Sequence, residues 1–522
     1  MIREIFRRKC LRLWLCKPEY MGRTKWENRF VLLRFWKKNY MMFLKDLKRF
    51  KMERLYDKLK AYSESDFYAF HMPGHKRNKA LLGIELPYDL DITEIDGFDD
   101  LHHADGILKE EQERAARVFG AEESHFLVNG STAGILSAVM GCTHRGDKIL
   151  VARHCHKSIY HAIYMNGLVP RYVYPEFDIS MHMNGEISKE DVAKALAAEP
   201  DIKAVVIVSP NYDGVVSDVK GIAEVAHSYR IPLIVDEAHG PHFGFHPAFP
   251  GRANDLGADV VINSLHKTLP SLTQTAILHI NGKIVNRRRI KKYLDMLQSS
   301  SPSYIFMASL DACVDFLDGK CEEAFELYVE RLQKFREELE PLQHLRILRT
   351  EHYDISKVVI STANANITSP ELADRLRKEY HLEMEMTGGT YVLAMTTVAD
   401  TQEGLDRLKA ALLEIDGQLE AKTAVSGSIE ISGELPRLEQ YFTPQEAADR
   451  EEDGEAEEIP WKESEGYTSL EYAYLYPPGS PVIVPGERIN REAVELLCYY
   501  ETQNLQIEGI QTKGKIKVWK HE

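Results

Sequence analysis

The chain is 522 residues long and 44% hydrophobic, enough to bury a substantial core and too long for one ordinary domain, so three or four domains are expected rather than a small stapled module. Its net charge of −15, from 65 Lys and Arg against 80 Asp and Glu, argues against a general nucleic-acid binder and favours small or cationic ligands. The charge is unevenly spread: residues 1–51 hold 16 Lys/Arg and four acids, a net +12, which leaves −27 for everything after them.

In this basic segment the apolar run Phe30-Val31-Leu32-Leu33 is cut by Arg34, Lys37 and Lys38, well short of the roughly 18 apolar residues of a membrane span. Residues 11–15 are interrupted by Arg12, with no small-residue cleavage site after them. The seven cysteines are scattered and contain no Cys-x-x-Cys pair, so free thiols in a reducing cytoplasm are expected.

From residue 55 the sequence reads as folded protein. Residues 53–63 form an amphipathic helix pattern, and His71-Met72-Pro73-Gly74-His75-Lys76 is a Pro-Gly loop. Apolar strand patterns follow at 148–152, 169–173, 204–208, 232–235, 259–262 and 275–280, alternating with helical stretches such as 219–229. That alternation predicts a mostly parallel sheet with helices on both faces. A helix is expected from about 307 to 340, then a smaller α/β segment with strands at 358–361 and 391–395 and a helix at 403–414. Residues 446–458 carry eight acids in thirteen positions without apolar periodicity, which reads as a solvated linker. The last sixty residues suggest a small C-terminal module.

Three features carry chemistry together. Val128-Asn129-Gly130-Ser131-Thr132-Ala133-Gly134 opens a helical pattern with small and hydroxyl residues, a composition suited to a phosphate cup, although Ser and Thr are also ordinary helix caps. Ile234-Val235-Asp236-Glu237-Ala238-His239-Gly240 places a carboxylate where an apolar strand ends, the edge at which open parallel sheets bind ligands. Val260-Val261-Ile262-Asn263-Ser264-Leu265-His266-Lys267-Thr268 ends a buried strand in Ser-x-His-Lys, where the lysine can condense with an aldehyde and Ser and His can hold a phosphate. Phosphate cup, strand-end Asp and, 31 residues later, strand-end Lys stand in the order that resembles pyridoxal-phosphate enzymes of the aspartate aminotransferase fold. His154-Cys155-His156 follows another strand end and offers a flat ring to such a cofactor. These residues, with His239 and His242, also raise zinc. Adjacent residues on an extended chain face opposite ways and no ligand pair has the usual spacing with a distant partner pair, so no metal is expected.

With these motifs placed, the chain from about residue 55 onward resembles the ornithine/lysine/arginine decarboxylase family, in particular its shorter bacterial members. The resemblance rests on Phe70-His71-Met72-Pro73-Gly74-His75-Lys76, on Asp91-Ile92-Thr93-Glu94 with Gly97-Phe98-Asp99-Asp100-Leu101, on Asn129-Gly130-Ser131-Thr132 and on Cys155-His156-Lys157-Ser158. It continues through Asp236-Glu237-Ala238-His239-Gly240, Ser264-Leu265-His266-Lys267-Thr268-Leu269-Pro270, Ser301-Pro302-Ser303-Tyr304 and the late Tyr476-Pro477-Pro478-Gly479 with Pro485-Gly486-Glu487.

The resemblance implies an α/β chain of the fold type I, aspartate aminotransferase-like class that uses pyridoxal 5'-phosphate. It implies Lys267 as the cofactor lysine, Asp236 as partner of the pyridine nitrogen and His156 as the ring stacked on the pyridine. Gly130, Ser131, Thr132, His239, Ser264, His266 and Ser300 complete the expected cofactor contacts, with Ser300 reaching a neighbouring subunit's phosphate. His75, Glu94, Asp96, Asp99 and Asp100 would form the substrate entrance. The implied domains are a basic extension at 1–52, an N-terminal arm at 53–105, a cofactor-binding large domain at 106–325, a small α/β domain at 326–435, an acidic linker at 436–465 and a C-terminal module at 466–522. Residues 1–51 have no counterpart in the resemblance; an upstream-assigned start explains them, with a membrane-surface or partner-binding arm as rival because Trp14, Trp26 and Trp36 lie among the basic residues.

The implied activity is α-decarboxylation of a basic amino acid, arginine to agmatine in polyamine biosynthesis first, lysine second and ornithine third. The setting would be a cytoplasmic homodimer or larger homo-oligomer with sites between subunits. An aminotransferase or desulfurase, and a catalytically silent regulator, stay open as alternatives.

Overall fold

The computed structural model describes residues 54–69, 71–73, 75–81, 85–178, 183–422, 434–475, 479–502 and 505–520. The basic extension, including Trp14, Trp26 and Trp36, lies outside the described residues, as do Phe70, Gly74 and 476–478 of the motifs above.

Every strand expected in the central block forms within one residue of its expected bounds. The strands are β1 (Glu123–Leu127), β2 (Lys148–Ala152), β3 (Val169–Val173), β4 (Val205–Val208), β5 (Leu233–Asp236), β6 (Val260–Asn263) and β7 (Ala276–Ile280). They make one sheet in the order β1-β7-β6-β5-β4-β2-β3. The pairs β3/β2, β2/β4, β4/β5 and β5/β6 are parallel, while β7 runs antiparallel to both β6 and β1. Strands β4 to β7 are buried along their whole length, the consequence of a sheet covered on both faces, and this explains why they are rich in Val, Ile and Leu. β1 was not legible in the sequence because Glu123-Ser124-His125 opens it.

Helices α1 (Leu55–Ser63), α2 (Ile107–Phe119), α3 (Gly130–Cys142), α4 (Lys157–Met165), α5 (Lys189–Ala198) and α6 (Val219–Ser228) precede or alternate with these strands. A single turn, α7 (Leu265–Thr268), and α8 (Arg287–Leu297) follow β6 and β7 in chain order. The long helix expected from 307 to 340 is instead two, α9 (Tyr304–Leu317) and α10 (Glu322–Glu338). Gly319 lies between them at φ +78°, a backbone state that ends a right-handed helix.

A second, antiparallel sheet has the order β8 (Arg346–Ile347), β9 (Lys357–Ser361), β11 (Tyr391–Met395), β10 (Met386–Thr387) and is accompanied by α11 (Ser369–Tyr380) and α12 (Gln402–Asp416). One core is shared: Val358, Ile360 and Val392 of this sheet pack in the same cluster as Phe126, Leu265 and Ile277 of the large one.

The acidic stretch is not a solvated linker. It folds as α13 (Pro444–Glu452) and β12 (Ala456–Pro460), the latter paired antiparallel with β13 (Lys515–Trp519). Thr443 and Glu446 form a reciprocal capping box at the start of α13. Lys517 pairs with Glu451 and Lys515 with Glu458 at 3.2 Å, and Trp519 Nε1 donates to Glu455 at 2.9 Å. Two of the eight acids are therefore paired with lysines of a strand about sixty residues away.

Candidate active site

The carboxyl ends of four adjacent strands converge on one place. β5 ends in Asp236, β6 in Asn263 with Ser264 next, β2 leads to His154 and His156, and β4, lying between β2 and β5, leads to Tyr212 and Asp213. Lys267 lies on α7, directly after β6. Its Nζ is 2.8 Å from His239 Nε2 and 6.0 Å from the centroid of the Tyr212 ring. Burial pushes the Lys267 ammonium below its ordinary value, against the pull of the Asp236 and Glu385 carboxylates.

Asp236 is buried, and the single hydrogen bond its carboxylate makes among the described residues comes from Ala238 N at 3.2 Å. Burial raises its pKa while the charge of Lys267 opposes the shift. A buried carboxylate so sparsely bonded is costly unless a cation or donor meets it. His156 caps its own helix: Nδ1 accepts from Ser158 N at 3.2 Å and contacts Ser158 Oγ at 2.8 Å. Burial, aided by the charges of Lys267 and Lys157, pushes this imidazole down to about 4, so the ring is neutral and fixed in orientation. His154 is buried behind it and is likewise pushed down to about 4 by burial.

The start of α3 is an open donor site. Its N-cap, Asn129, makes no capping bond; Asn129 Oδ1 instead accepts from Ser299 N at 3.1 Å. The hydroxyls of Ser131 and Thr132 make no hydrogen bond among the described residues, and a Cβ on Gly130 would meet nothing within 4 Å. Ser264 Oγ is fully buried and has no hydrogen-bond partner among the described residues, which leaves it open to a bound group. His266 is anchored by Nδ1 donating to Thr275 O at 2.9 Å. Ser300 is exposed, next to the residue held by Asn129.

The expected entrance acids are placed differently. Asp99, at φ +67°, accepts hydrogen bonds from the N–H groups of Asp105, Gly106 and Leu108 at 2.9–3.0 Å and so caps α2. Asp100 accepts from His102 N at 2.9 Å and His103 Nδ1 at 3.0 Å. Both carboxylates are thus bonded locally. Glu94 and Asp96 are exposed on the same loop, and His75 stacks on Tyr88 at 4.2 Å with Nε2 3.3 Å from Asp91. Among the described residues, none of these five side chains bonds to those around Lys267.

Residues beyond those expected do surround Lys267. Tyr212, whose ring lies 4.5 Å from that of His239, donates its hydroxyl to Glu385, an exposed acid of the small α/β segment. Asp213 accepts from Tyr391 OH at 2.6 Å, and fully buried Lys357 reaches His239 Nδ1 at 3.5 Å. The strand-end rule that found Asp236 would have found Tyr212 and Asp213 had it been applied to β4. Lys357 has one signal, a lysine heading an apolar strand; Glu385 has none.

Among known proteins, the profile of Orn/Lys/Arg decarboxylase, major domain, matches residues 53–422, and that of the Orn/Lys/Arg decarboxylase C-terminal domain matches residues 433–513. An arginine decarboxylase of Bacillus subtilis is 33% identical over 471 residues, covering 87% of this chain and 95% of that protein. The constitutive lysine decarboxylase of Escherichia coli is 24% identical over 548 residues, covering 84% of this chain and 75% of its own. Its solved structure superposes with a TM-score of 0.76 at 20% identity, over 95% of this chain and 85% of that one. Ureidoglycine–glyoxylate aminotransferase from Bacillus subtilis shares the fold more distantly, with a TM-score of 0.52 at 15% identity over 68% of this chain and 93% of its own.

Proposed function

The chain belongs to the Orn/Lys/Arg decarboxylase family, with the α/β architecture of fold type I pyridoxal-phosphate enzymes, and from that premise we propose that it decarboxylates arginine to agmatine. The residues present fit pyridoxal 5'-phosphate: an open helix start at Gly130–Thr132 and the unpartnered Ser264 hydroxyl suit a phosphate, and sparsely bonded Asp236 suits a protonated ring nitrogen. When bound, the cofactor supplies an electron-accepting ring that takes the pair left behind as the α-carboxylate departs.

The protein's own groups do the rest. Lys267 would hold the cofactor aldehyde. Asp236 would keep the ring nitrogen cationic, and the neutral His156 ring would support the pyridine. Ser131, Thr132, Ser264 and His266 would hold the phosphate, and Ser300, exposed at the chain surface, would serve that of a neighbouring subunit. Glu385, the acid that bears on Lys267 from the small segment, is a further partner for the distal cation of the substrate, beside the loop acids.

The observation that carries the reading is Lys267 on the turn after β6, beside the strand that ends in buried Asp236. Arginine is placed first because the Bacillus subtilis arginine decarboxylase matches more closely than the Escherichia coli lysine decarboxylase, 33% against 24%. Agmatine formation fits polyamine biosynthesis in the cytoplasm by a homo-oligomer, and no helix among the described residues is long and apolar enough to cross a membrane.

The test is release of carbon dioxide from arginine, lysine and ornithine, each supplied separately with pyridoxal phosphate. Arginine is expected to give the highest kcat/KM; a higher value for lysine would overturn the substrate and leave the chemistry standing.

A further inference from the structure

His239 stands between two lysines. Its Nε2 is 2.8 Å from Lys267 Nζ, and its Nδ1 is 3.5 Å from Lys357 Nζ, the outer edge of hydrogen-bond range. Lys357 is 0% exposed, a rare position for a lysine. It is held closely: a Cβ on Gly214 would lie 2.7 Å from Lys357 Cγ, so only glycine lets the loop after β4 pass over this side chain.

A neutral imidazole offers one N–H and one lone pair. It cannot accept from two ammonium groups at once. If Lys357 donates to Nδ1, the ring proton sits on Nε2, and Lys267 must present a lone pair to it.

The surroundings decide which lysine keeps its charge. Lys357 faces the carboxylates of Asp354, on its own turn, of Glu385 before β10 and of Asp213 after β4, with Lys267 as the opposing cation. Lys267 faces Asp236 and Glu385, with His156 and His266 close to the same imidazole. The turn carrying Lys357 is also linked, through His242, to Thr268, the residue after Lys267. Lys357 N donates to Asp354 O at 3.1 Å, Asp354 Oδ1 lies 3.1 Å from His242 Nε2, and His242 Nδ1 lies 3.0 Å from Thr268 Oγ1.

We propose that Lys357 is a positioning residue that, through His239, holds the ε-amino group of Lys267 in its neutral, nucleophilic form. This rests on Lys267 being the cofactor lysine, since only a free amine adds to an aldehyde. Burial lowers both lysines, Lys357 to about 8, and drives His239 far below its ordinary value, which keeps the imidazole neutral. Without the Lys357 ammonium, a repulsion disappears and His239 is free to accept from a protonated Lys267.

The test is competitive acetylation of the full chain freed of cofactor, across a pH series, with Lys267 and Lys357 read by peptide mass spectrometry against surface lysines. In the wild type Lys267 should become reactive at a lower pH than Lys357. Lys357→Met should move the Lys267 midpoint up by about one pH unit, tenfold less free amine near neutrality, and Lys357→Arg, which keeps the charge, should restore it. An unmoved midpoint in Lys357→Met, or an equal shift in Lys357→Arg, overturns the proposal. If Lys357→Met does not fold, the wild-type order decides, and Lys357 titrating below Lys267 overturns it. Hydride trapping of cofactor on a lysine other than Lys267 would refute the cofactor assignment instead, whatever the acetylation shows.

Discussion

Arg153, just after β2, and Glu487, of the C-terminal segment, form a 2.9 Å ion pair in which both side chains are 0% exposed. Arg153 also donates to Val482 O at 2.9 Å, and Glu487 accepts from Val484 N at 2.8 Å. Ser480 Oγ bonds His154 O at 2.7 Å, two residues from the ring of His156. The pair therefore ties the last segment of the chain to the loop that presents a candidate cofactor-stacking residue.

Glu487→Gln leaves Arg153 as a buried charge without its counter-ion, a change that costs about 3–5 kcal/mol. The expected outcome is a clearly lower melting temperature together with weaker cofactor retention. An unchanged melting curve would show that the segment is held by its apolar contacts alone.

Asp236→Asn should fold and bind cofactor but turn over on the order of 100-fold more slowly, because an amide cannot stabilise the positive ring nitrogen while charge builds on the ring. Among the described residues the buried Asp236 carboxylate makes a single hydrogen bond, so the substitution breaks little else. Steady-state rates with arginine check this, and near-normal turnover would move the pyridine nitrogen elsewhere.

The parallel sheet could be read from sequence because a strand buried on both faces must be mainly apolar, as β4 to β7 are apart from His279 and the strand-end Asp236 and Asn263. The same logic put Asp236, His156 and Lys267 at strand ends. It failed where the deciding partner lies far away in sequence. Charge at 446–458 looked like solvation because Lys515 and Lys517 were not in view, and Lys357 and Glu385 come from a different sheet than the residues they join. The local bonds of Asp99 and Asp100 were equally out of view, because backbone N–H donors leave no mark in a sequence.

Acid should destabilise the protein through its buried histidines. His154 and His156 are pushed from an ordinary 6.5 to about 4, chiefly by burial. Between those values the unfolded chain binds protons that the folded chain refuses, so this stability is complete above about 6.5 and is lost as the pH falls toward 4. For fully buried His154 the full effect approaches about 3 kcal/mol. Urea midpoints from pH 7 to 4 should fall steeply in the wild type and less steeply in His154→Gln; parallel slopes would remove His154 from the account.

Substrate preference separates the two sets of acids. Asp99 accepts from the backbone N–H groups of Asp105, Gly106, Leu108 and Lys109 around the start of α2, so Asp99→Asn should cost stability, about 1 kcal/mol as for other caps, and leave the order of arginine, lysine and ornithine untouched. Glu385 is exposed, bonded by Tyr212, and its charge bears on both Lys267 and Lys357, so an incoming substrate cation meets it next to the reacting centre. A guanidinium can pair with a carboxylate through two parallel hydrogen bonds, whereas an ammonium presents a point charge. Glu385→Gln should therefore lower kcat/KM for arginine roughly 10- to 100-fold, the worth of a hydrogen bond to a charged group, and lower it less for lysine. Side-by-side kinetics of the two variants decide the matter: a lost arginine preference in Asp99→Asn with none in Glu385→Gln would return the specificity to the loop at residues 94–100.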